Sequence, residues 1–166
     1  MKEILSLFST GFFASAIRMA TPLILGGIGA LFSERAGILN LGVEGMMLIG
    51  AFVAAITSYY TGDPWLGVLG GAAAGALIGL LHPFMCIKVK ANQTVIGTGI
   101  NIMAMGVPPL ILQTLYGNPG STPSVPPLGS VSIPIIKDIP VIGKIIGTHN
   151  PLTYLALLLV PITTYF

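Results

Sequence analysis

Five polar side chains stand within long apolar stretches of this sequence, and they are the first candidates for chemistry. Their amide, hydroxyl and carboxylate groups are hydrogen-bonding groups: Asn40, Glu44, Gln93, Thr98 and Asn101. A charge at the centre of a membrane-spanning helix costs roughly 2.5–3.5 kcal/mol on insertion scales, so such residues usually face other helices or water. We therefore expect these five residues to line the path of a polar solute, with hydrogen bonding between helices as the alternative.

The spacing of these residues indicates how helices would present them. Asn40 and Glu44 are four residues apart and would share one face of a helix. Thr98 and Asn101, with Thr94 before them, follow helical spacing and form one polar stripe. Three glycines lie within the 33–45 stretch that precedes and includes Glu44, and they predict a bent or broken entry into the second span. Glu34 and Arg35 are expected at the membrane surface as an ion pair.

The sequence lacks the patterns that would indicate an enzyme or a metal protein. It contains no P-loop, no H-E-x-x-H and no G-x-S-x-G motif. The two histidines, His82 and His149, are far apart, and Cys86 is the single cysteine. We therefore predict no catalytic residue, no metal site and no cofactor bound by this chain.

The composition predicts that this chain is an integral membrane protein. Of its 166 residues, 54% are hydrophobic and only 7% are charged, against roughly 25% charged residues in soluble domains. A net charge of +2 without any basic run gives no reason to expect a nucleic-acid partner.

The apolar stretches predict an all-α polytopic bundle, a single transmembrane domain over residues 1–166 with about five spans. In chain order the predicted spans lie within Phe8–Phe32, Ile38–Tyr60, Trp65–Ile87, Thr94–Tyr116 and from Pro151 to Phe166. The first four reach the ~20 residues that a helix needs to cross hydrocarbon, and the fifth is shorter. We expect the incomplete fifth span to reflect a truncated chain.

Glycines recur every four residues on the third span, at Gly67, Gly71, Gly75 and Gly79. Such a smooth ridge lets a neighbouring helix backbone come close, which is how helices associate in lipid. The ridge predicts helix packing, static or sliding, inside a bundle.

The connections between spans carry the information on orientation. Residues 117–150 are rich in proline and glycine and are expected to form an extracytoplasmic loop, partly ordered. With Lys88 and Lys90 in the cytoplasm, Arg35 is there too, and Lys2, Lys137 and Lys144 lie outside. Because long loops count less in the positive-inside rule, this orientation is the favoured one.

Four stretches resemble the permease subunits of ABC importers of the ribose, nucleoside and branched-chain amino acid class, and nucleoside permeases in particular. The longest is LFSERAGILNLGVEGMMLIGAF at 31–52, and the others are RMATPLIL at 18–25, VKANQTVIGTGIN at 89–101 and NPLTYLALLL at 150–159. The resemblance covers nearly the whole chain. It implies a multi-pass protein of the bacterial cytoplasmic membrane that carries nucleosides or sugar-like solutes by alternating access.

The resemblance also implies partners. These are a second permease subunit in a homo- or heterodimer, a cytoplasmic ATPase that binds the ATP, an extracytoplasmic solute-binding lipoprotein, and membrane lipid. Permeases of this class are about twice as long, and their ATPase-contacting loop follows the fifth span, so this chain alone would not couple to ATP hydrolysis. Met46 or Phe52 would offer a flat apolar surface to a nucleoside. The alternatives are a non-transporting membrane remnant or assembly partner and, with less support, a self-contained channel.

Overall fold

The computed structural model describes residues 10–132 and 147–165, and it is built from apolar helices. The helices are α1 Thr10–Arg35, α2 Val43–Thr61, α3 Pro64–Ile87, α4 Gln93–Tyr116 and α5 Pro151–Tyr165. The first four are long and apolar enough to cross a membrane, and α5 is a shorter apolar helix. The predicted all-α, polytopic fold is confirmed. Three lysines of the orientation argument, Lys2, Lys137 and Lys144, lie outside the described residues.

Local signals in the sequence set the ends of these helices. α1 ends in a Schellman motif, in which Gly37 takes a positive φ of 81° and Ile38 N donates to the carbonyl of Ser33 at 3.0 Å. Asp63 caps α3 by accepting from Trp65 N at 2.8 Å. Asn92 caps α4 by accepting from Thr94 N at 2.9 Å. Helix α2 begins without a side-chain cap from its own chain neighbours, since its N-cap residue is Gly42.

The chain forms two compact units, and residues 29–127 make up the one that holds α2, α3 and α4. Helix α2 packs most extensively on α3 and next on α4. Five apolar residues of α4 recur at helical spacing and are buried: Gly97, Ile100, Ala104, Pro108 and Leu112.

Helices α2 and α3 touch along part of the predicted glycine ridge. A Cβ on Gly71 would lie 2.7 Å from the carbonyl oxygen of Gly50 and 2.8 Å from Cβ of Ala54, and one on Gly67 would lie 2.8 Å from the carbonyl oxygen of Ala54. At Gly75 the approach relaxes to 3.9 Å, and at Gly79 nothing lies within 4 Å. The close backbone contact therefore occupies the first half of α3.

Replacing Gly71 with alanine is expected to destabilise the α2–α3 pair by about 1–3 kcal/mol, because the new methyl group meets backbone. Gly79→Ala is the matched control on the same helix and should be neutral or slightly stabilising, since alanine is the better helix former. Thermal unfolding of the purified protein in detergent measures both. Equal effects of the two substitutions would contradict the packing described here.

The second unit comprises residues 1–28 and 128–166. Within it the hydroxyl groups of Thr21 on α1 and Thr153 on α5 lie 3.1 Å apart, and both residues are buried. A short antiparallel pair joins β1 Val131–Ser132 to β2 Thr148–His149. Tyr154 on α5 donates its hydroxyl to the carbonyl of Val131 at 3.3 Å. Strands β1 and β2 of the predicted 117–150 loop thus lie beside the start of α5.

Candidate functional site

The candidate site begins at the break between α1 and α2. Residues 36–42 are not helical, and the second apolar stretch becomes a helix only at Val43. A non-helical segment has backbone groups without helical partners, and in lipid each unsatisfied group costs several kcal/mol. The break needs hydrogen bonds from elsewhere in the chain.

Asn101 on α4 supplies two of these hydrogen bonds with one side chain. Its Oδ1 accepts from the backbone N–H of Gly45 at 2.8 Å, and its Nδ2 donates to the carbonyl of Leu41 at 2.9 Å. Gly45 is the third residue of α2, the position whose N–H an N-cap side chain ordinarily satisfies. Asn101 therefore caps α2 from a neighbouring helix, 56 residues away in sequence.

Gln93, the first residue of α4, forms a hydrogen bond with an earlier residue of the same break. Its Oε1 accepts from the backbone N–H of Leu39 at 2.7 Å. Two amides of α4 thus fix the segment from Leu39 to Gly45. Both Gln93 and Asn101 were predicted as path residues, and the structure places their polar atoms on backbone.

Glycines allow this segment to lie directly against α4. A Cβ on Gly97 would lie 3.0 Å from the backbone nitrogen of Gly42. A Cβ on Gly45 would lie 2.8 Å from the carbonyl oxygen of Ile100 and 2.9 Å from Cα of Asn101. The Asn101 hydrogen bonds depend on this approach, because a short amide reaches the α2 backbone only when the two helices are this close.

Asn40 corrects one expectation from the sequence. It does not share a helix face with Glu44, because it lies in the break before α2 begins. Its Oδ1 accepts from the backbone N–H of Gly42 at 3.1 Å, and its Nδ2 lies 3.7 Å from the sulfur of Met46. Asparagine favours such local bonds to the backbone two residues on over a helical conformation.

Glu44 is the second residue of α2, and its side chain is exposed. The N-terminus of a helix carries a partial positive charge, which stabilises a carboxylate in the first turn. Within residues 10–132 and 147–165 no ion pair to Glu44 is formed. Its carboxylate oxygens are therefore open to a group from outside this part of the chain.

Thr98 is also exposed, on the second turn of α4. Its hydroxyl donates to the carbonyl of Thr94 at 2.9 Å, with the carbonyl of Val95 at 3.1 Å. The donor is thus used within the helix, whereas the oxygen keeps lone pairs that accept hydrogen bonds.

Helices α2 and α4 run parallel, because Gly42 lies against Gly97 at one end of the pair and the Tyr59 ring lies 5.5 Å from that of Tyr116 at the other. Helical spacing then places side chains of both helices on one side of the pair, away from the side of α2 that packs on α3. We call this side the α2–α4 face, and its members are Glu44, Leu48, Thr98, Asn101 and Met105.

The three glycines of this contact, Gly42, Gly45 and Gly97, are functional candidates that the sequence reasoning did not single out. Glycines 42 and 45 were noted only as a cause of bending. A signal was present, since Gly97 and Asn101 are four apart and glycine beside a polar residue in a span favours close helix contact. The pairing itself needed the fold.

The two histidines lie outside the α2–α4 face. His82 is fully buried on α3, and its Nε2 lies 4.0 Å from the sulfur of Cys86. His149 is buried beside Tyr154. Among the described residues, no group of three or more metal-ligating side chains occurs.

Residues 12–166 match the family model described as "Branched-chain amino acid transport system / permease component". A guanosine ABC transporter permease of Bacillus subtilis is 43% identical over 133 residues, which is 76% of this chain and 41% of that protein. A nucleoside ABC transporter permease of Lactococcus lactis is 36% identical over 159 residues, which is 92% of this chain and 50% of that protein.

A third relative is named for a different solute. A protein of Haloferax volcanii, provisionally named a glucose ABC transporter permease, is 36% identical over 163 residues, 96% of this chain and 48% of that protein. No solved structure matches the chain. The chain thus spans about half the length of the curated relatives it matches.

Proposed function

Because the chain belongs to the family of branched-chain amino acid transport system permease components, we propose that it forms part of the translocation path of an ABC importer for nucleosides or related sugar-like solutes. The family and four membrane-length helices make it a multi-pass protein of the cell membrane. The observation that carries the proposal is the α2–α4 face, where an exposed carboxylate and hydroxyl lie beside a break held by Asn101.

The α2–α4 face offers what a polar solute needs during passage. Glu44 and Thr98 supply hydrogen-bond acceptors, while Leu48 and Met105 supply apolar surface. The relatives are named for guanosine, nucleosides and glucose, solutes that share a ring bearing hydroxyl groups on adjacent carbons. Support for this solute class in the chain comes from those names together with a face that holds hydrogen-bond acceptors.

The proposal includes an orientation and partners. Arg35, Lys88 and Lys90 lie at one end of the α2–α4 unit, the end where α4 begins, and the positive-inside rule favours that end in the cytoplasm. A separate ATPase subunit would bind ATP on this side. A solute-binding protein would deliver solute on the other side, and a second permease subunit would close the path.

Replacing Thr98 with valine is expected to lower solute uptake by about 5- to 10-fold, because one neutral hydrogen bond contributes roughly 1 kcal/mol. The test is uptake of labelled guanosine by cells that express the complete transporter carrying this chain. Thr114→Val is the matched control, since Thr114 is also exposed on α4 and also donates to its own helix, at 2.8 Å to Leu110. Helical spacing turns Thr114 away from the α2–α4 face, so its uptake should stay near wild type. Uptake that is unchanged in Thr98→Val would remove Thr98 from the path.

A further inference from the structure

We infer that Glu44 binds the solute itself, by accepting hydrogen bonds from two hydroxyl groups on adjacent ring carbons. This inference rests on the proposed function and makes it more specific. It assigns the site to solutes with a vicinal diol, such as a ribonucleoside or a hexose, and predicts that a 2′-deoxynucleoside is a poor substrate.

Glu44 lies below the surface of the hydrocarbon core. Its neighbour Gly45 lies against Ile100 and Asn101, which are seven and eight residues into α4. At 1.5 Å per residue this is about 10 Å from the end of a helix about 36 Å long. A hydrocarbon core of about 30 Å would leave about 3 Å of α4 outside at each end, so Glu44 lies roughly 7 Å inside.

A carboxylate at this depth requires polar groups or water around it. Intramembrane charges almost always face a bundle interior or a water-filled cavity and pair with other groups. Among the described residues Glu44 has no ion pair, and its side chain is exposed on the same face as Thr98. This arrangement suits a carboxylate that accepts hydrogen bonds from the donor groups of a solute moving along this face.

The chemistry of the donor follows from the charge balance at Glu44. The α2 N-terminus already offsets part of the negative charge, with an effect equivalent to about half a positive charge. Neutral donors are therefore sufficient partners, and a fixed cation is not required. The two oxygens of one carboxylate accept two parallel hydrogen bonds, the geometry that adjacent ring hydroxyl groups present, and hydrogen bonds to a charged acceptor are stronger than those to a neutral one.

The backbone around Glu44 is fixed well enough to select such a pair. Asn101 holds Gly45 N and Leu41 O on either side of it, and the Gly42–Gly97 contact anchors the start of the helix. A site held in place rejects an analogue that lacks one donor more strongly than a flexible site does.

The experiment compares uptake of guanosine and 2′-deoxyguanosine by cells that express the complete transporter. In the wild type we expect kcat/KM to favour guanosine by about 10-fold or more, since each 1.4 kcal/mol is tenfold. In Glu44→Gln the ratio should fall to within about 2-fold, because a neutral amide keeps one acceptor and loses the charge. Glu34→Gln, at the exposed end of α1, is the control and should keep the wild-type ratio.

The ratio of kcat/KM for guanosine to that for 2′-deoxyguanosine tests the diol assignment, whereas uptake by the wild type tests the proposed function. If the wild type takes up neither nucleoside, the proposed nucleoside transport fails. If the wild type takes up guanosine and Glu44→Gln leaves the ratio unchanged, the diol assignment fails while the proposed function stands. Glu44→Asp carries the same test should the Gln variant not reach the membrane: the shorter carboxylate should narrow the preference, and an unchanged ratio would overturn the assignment.

Discussion

Replacing Asn101 with leucine is expected to lower solute uptake by about 100-fold and to destabilise the α2–α4 pair by about 1–3 kcal/mol. The leucine side chain leaves the N–H of the buried Gly45 without its partner, at a cost of about 1–3 kcal/mol, and it also removes the hydrogen bond to the carbonyl of the exposed Leu41. A break that no longer holds its shape populates the competent conformation less often, which reduces transport in proportion. Uptake of labelled guanosine and thermal unfolding in detergent measure the two effects.

Two further variants distinguish the role of Asn101 from a general loss of polarity. Gln113→Leu removes an exposed amide from the same helix, and it should leave uptake and unfolding near wild type. Asn101→Asp keeps the acceptor for Gly45 N but loses the donor to Leu41 O, so it should fall between the wild type and Asn101→Leu. If Gln113→Leu were as harmful as Asn101→Leu, the amide of Asn101 would have no special role in holding the break.

The helices were predictable because the apolar stretches and their end signals are local. The predicted third span, Trp65–Ile87, differs from α3 by one residue, since Asp63 and Pro64 mark its start in the sequence itself. The fourth, Thr94–Tyr116, likewise differs by one residue from α4. Hydropathy and capping each depend on residues within one or two turns.

The start of the second span was not predictable in the same way. The apolar pattern runs on from Ile38, but the helix begins at Val43 because α4 satisfies the backbone of the intervening residues. The hydrogen bond between Gly45 and Asn101 joins residues far apart in sequence, and nothing near either residue indicates its partner. The interpretation of Asn40 failed for the same reason, since it assumed a helix where a break is held by α4.

The polar residues were expected either to line the solute path or to form hydrogen bonds between helices. In the structure, two of them bond to the backbone of the break and two others lie on the exposed face. Gln93 and Asn101 use their polar atoms on the backbone of the break. Glu44 and Thr98 keep acceptor oxygens on the exposed face next to it. The structural pair holds the position of the exposed pair, so we propose that both kinds of residue are needed for passage, through different mechanisms. Substitutions at Asn101 should affect stability and rate together, whereas those at Glu44 should affect solute preference.

Replacing Gly45 with alanine is expected to be among the most harmful single-methyl changes in the described chain. Its Cβ would lie 2.8 Å from the carbonyl oxygen of Ile100 and 2.9 Å from both Cα and Oδ1 of Asn101. Backbone atoms do not rotate away as side chains do, so α2 and α4 must separate, at a cost of about 1–3 kcal/mol for overpacking. The separation also lengthens the 2.8 Å bond from Gly45 N to Asn101 Oδ1.

The control for this substitution is Gly99→Ala, in α4 near the same depth, where nothing lies within 4 Å of the added methyl group. Alanine is favoured over glycine in a helix by about 0.8–1.0 kcal/mol, so this variant should unfold at the wild-type temperature or slightly above it. Gly45→Ala should unfold earlier and should lose most guanosine uptake, because the methyl group acts at the contact that fixes Glu44. A Gly45→Ala protein with normal stability and normal uptake would mean that α2 and α4 do not approach this closely in the membrane, and the α2–α4 face would lose its structural basis.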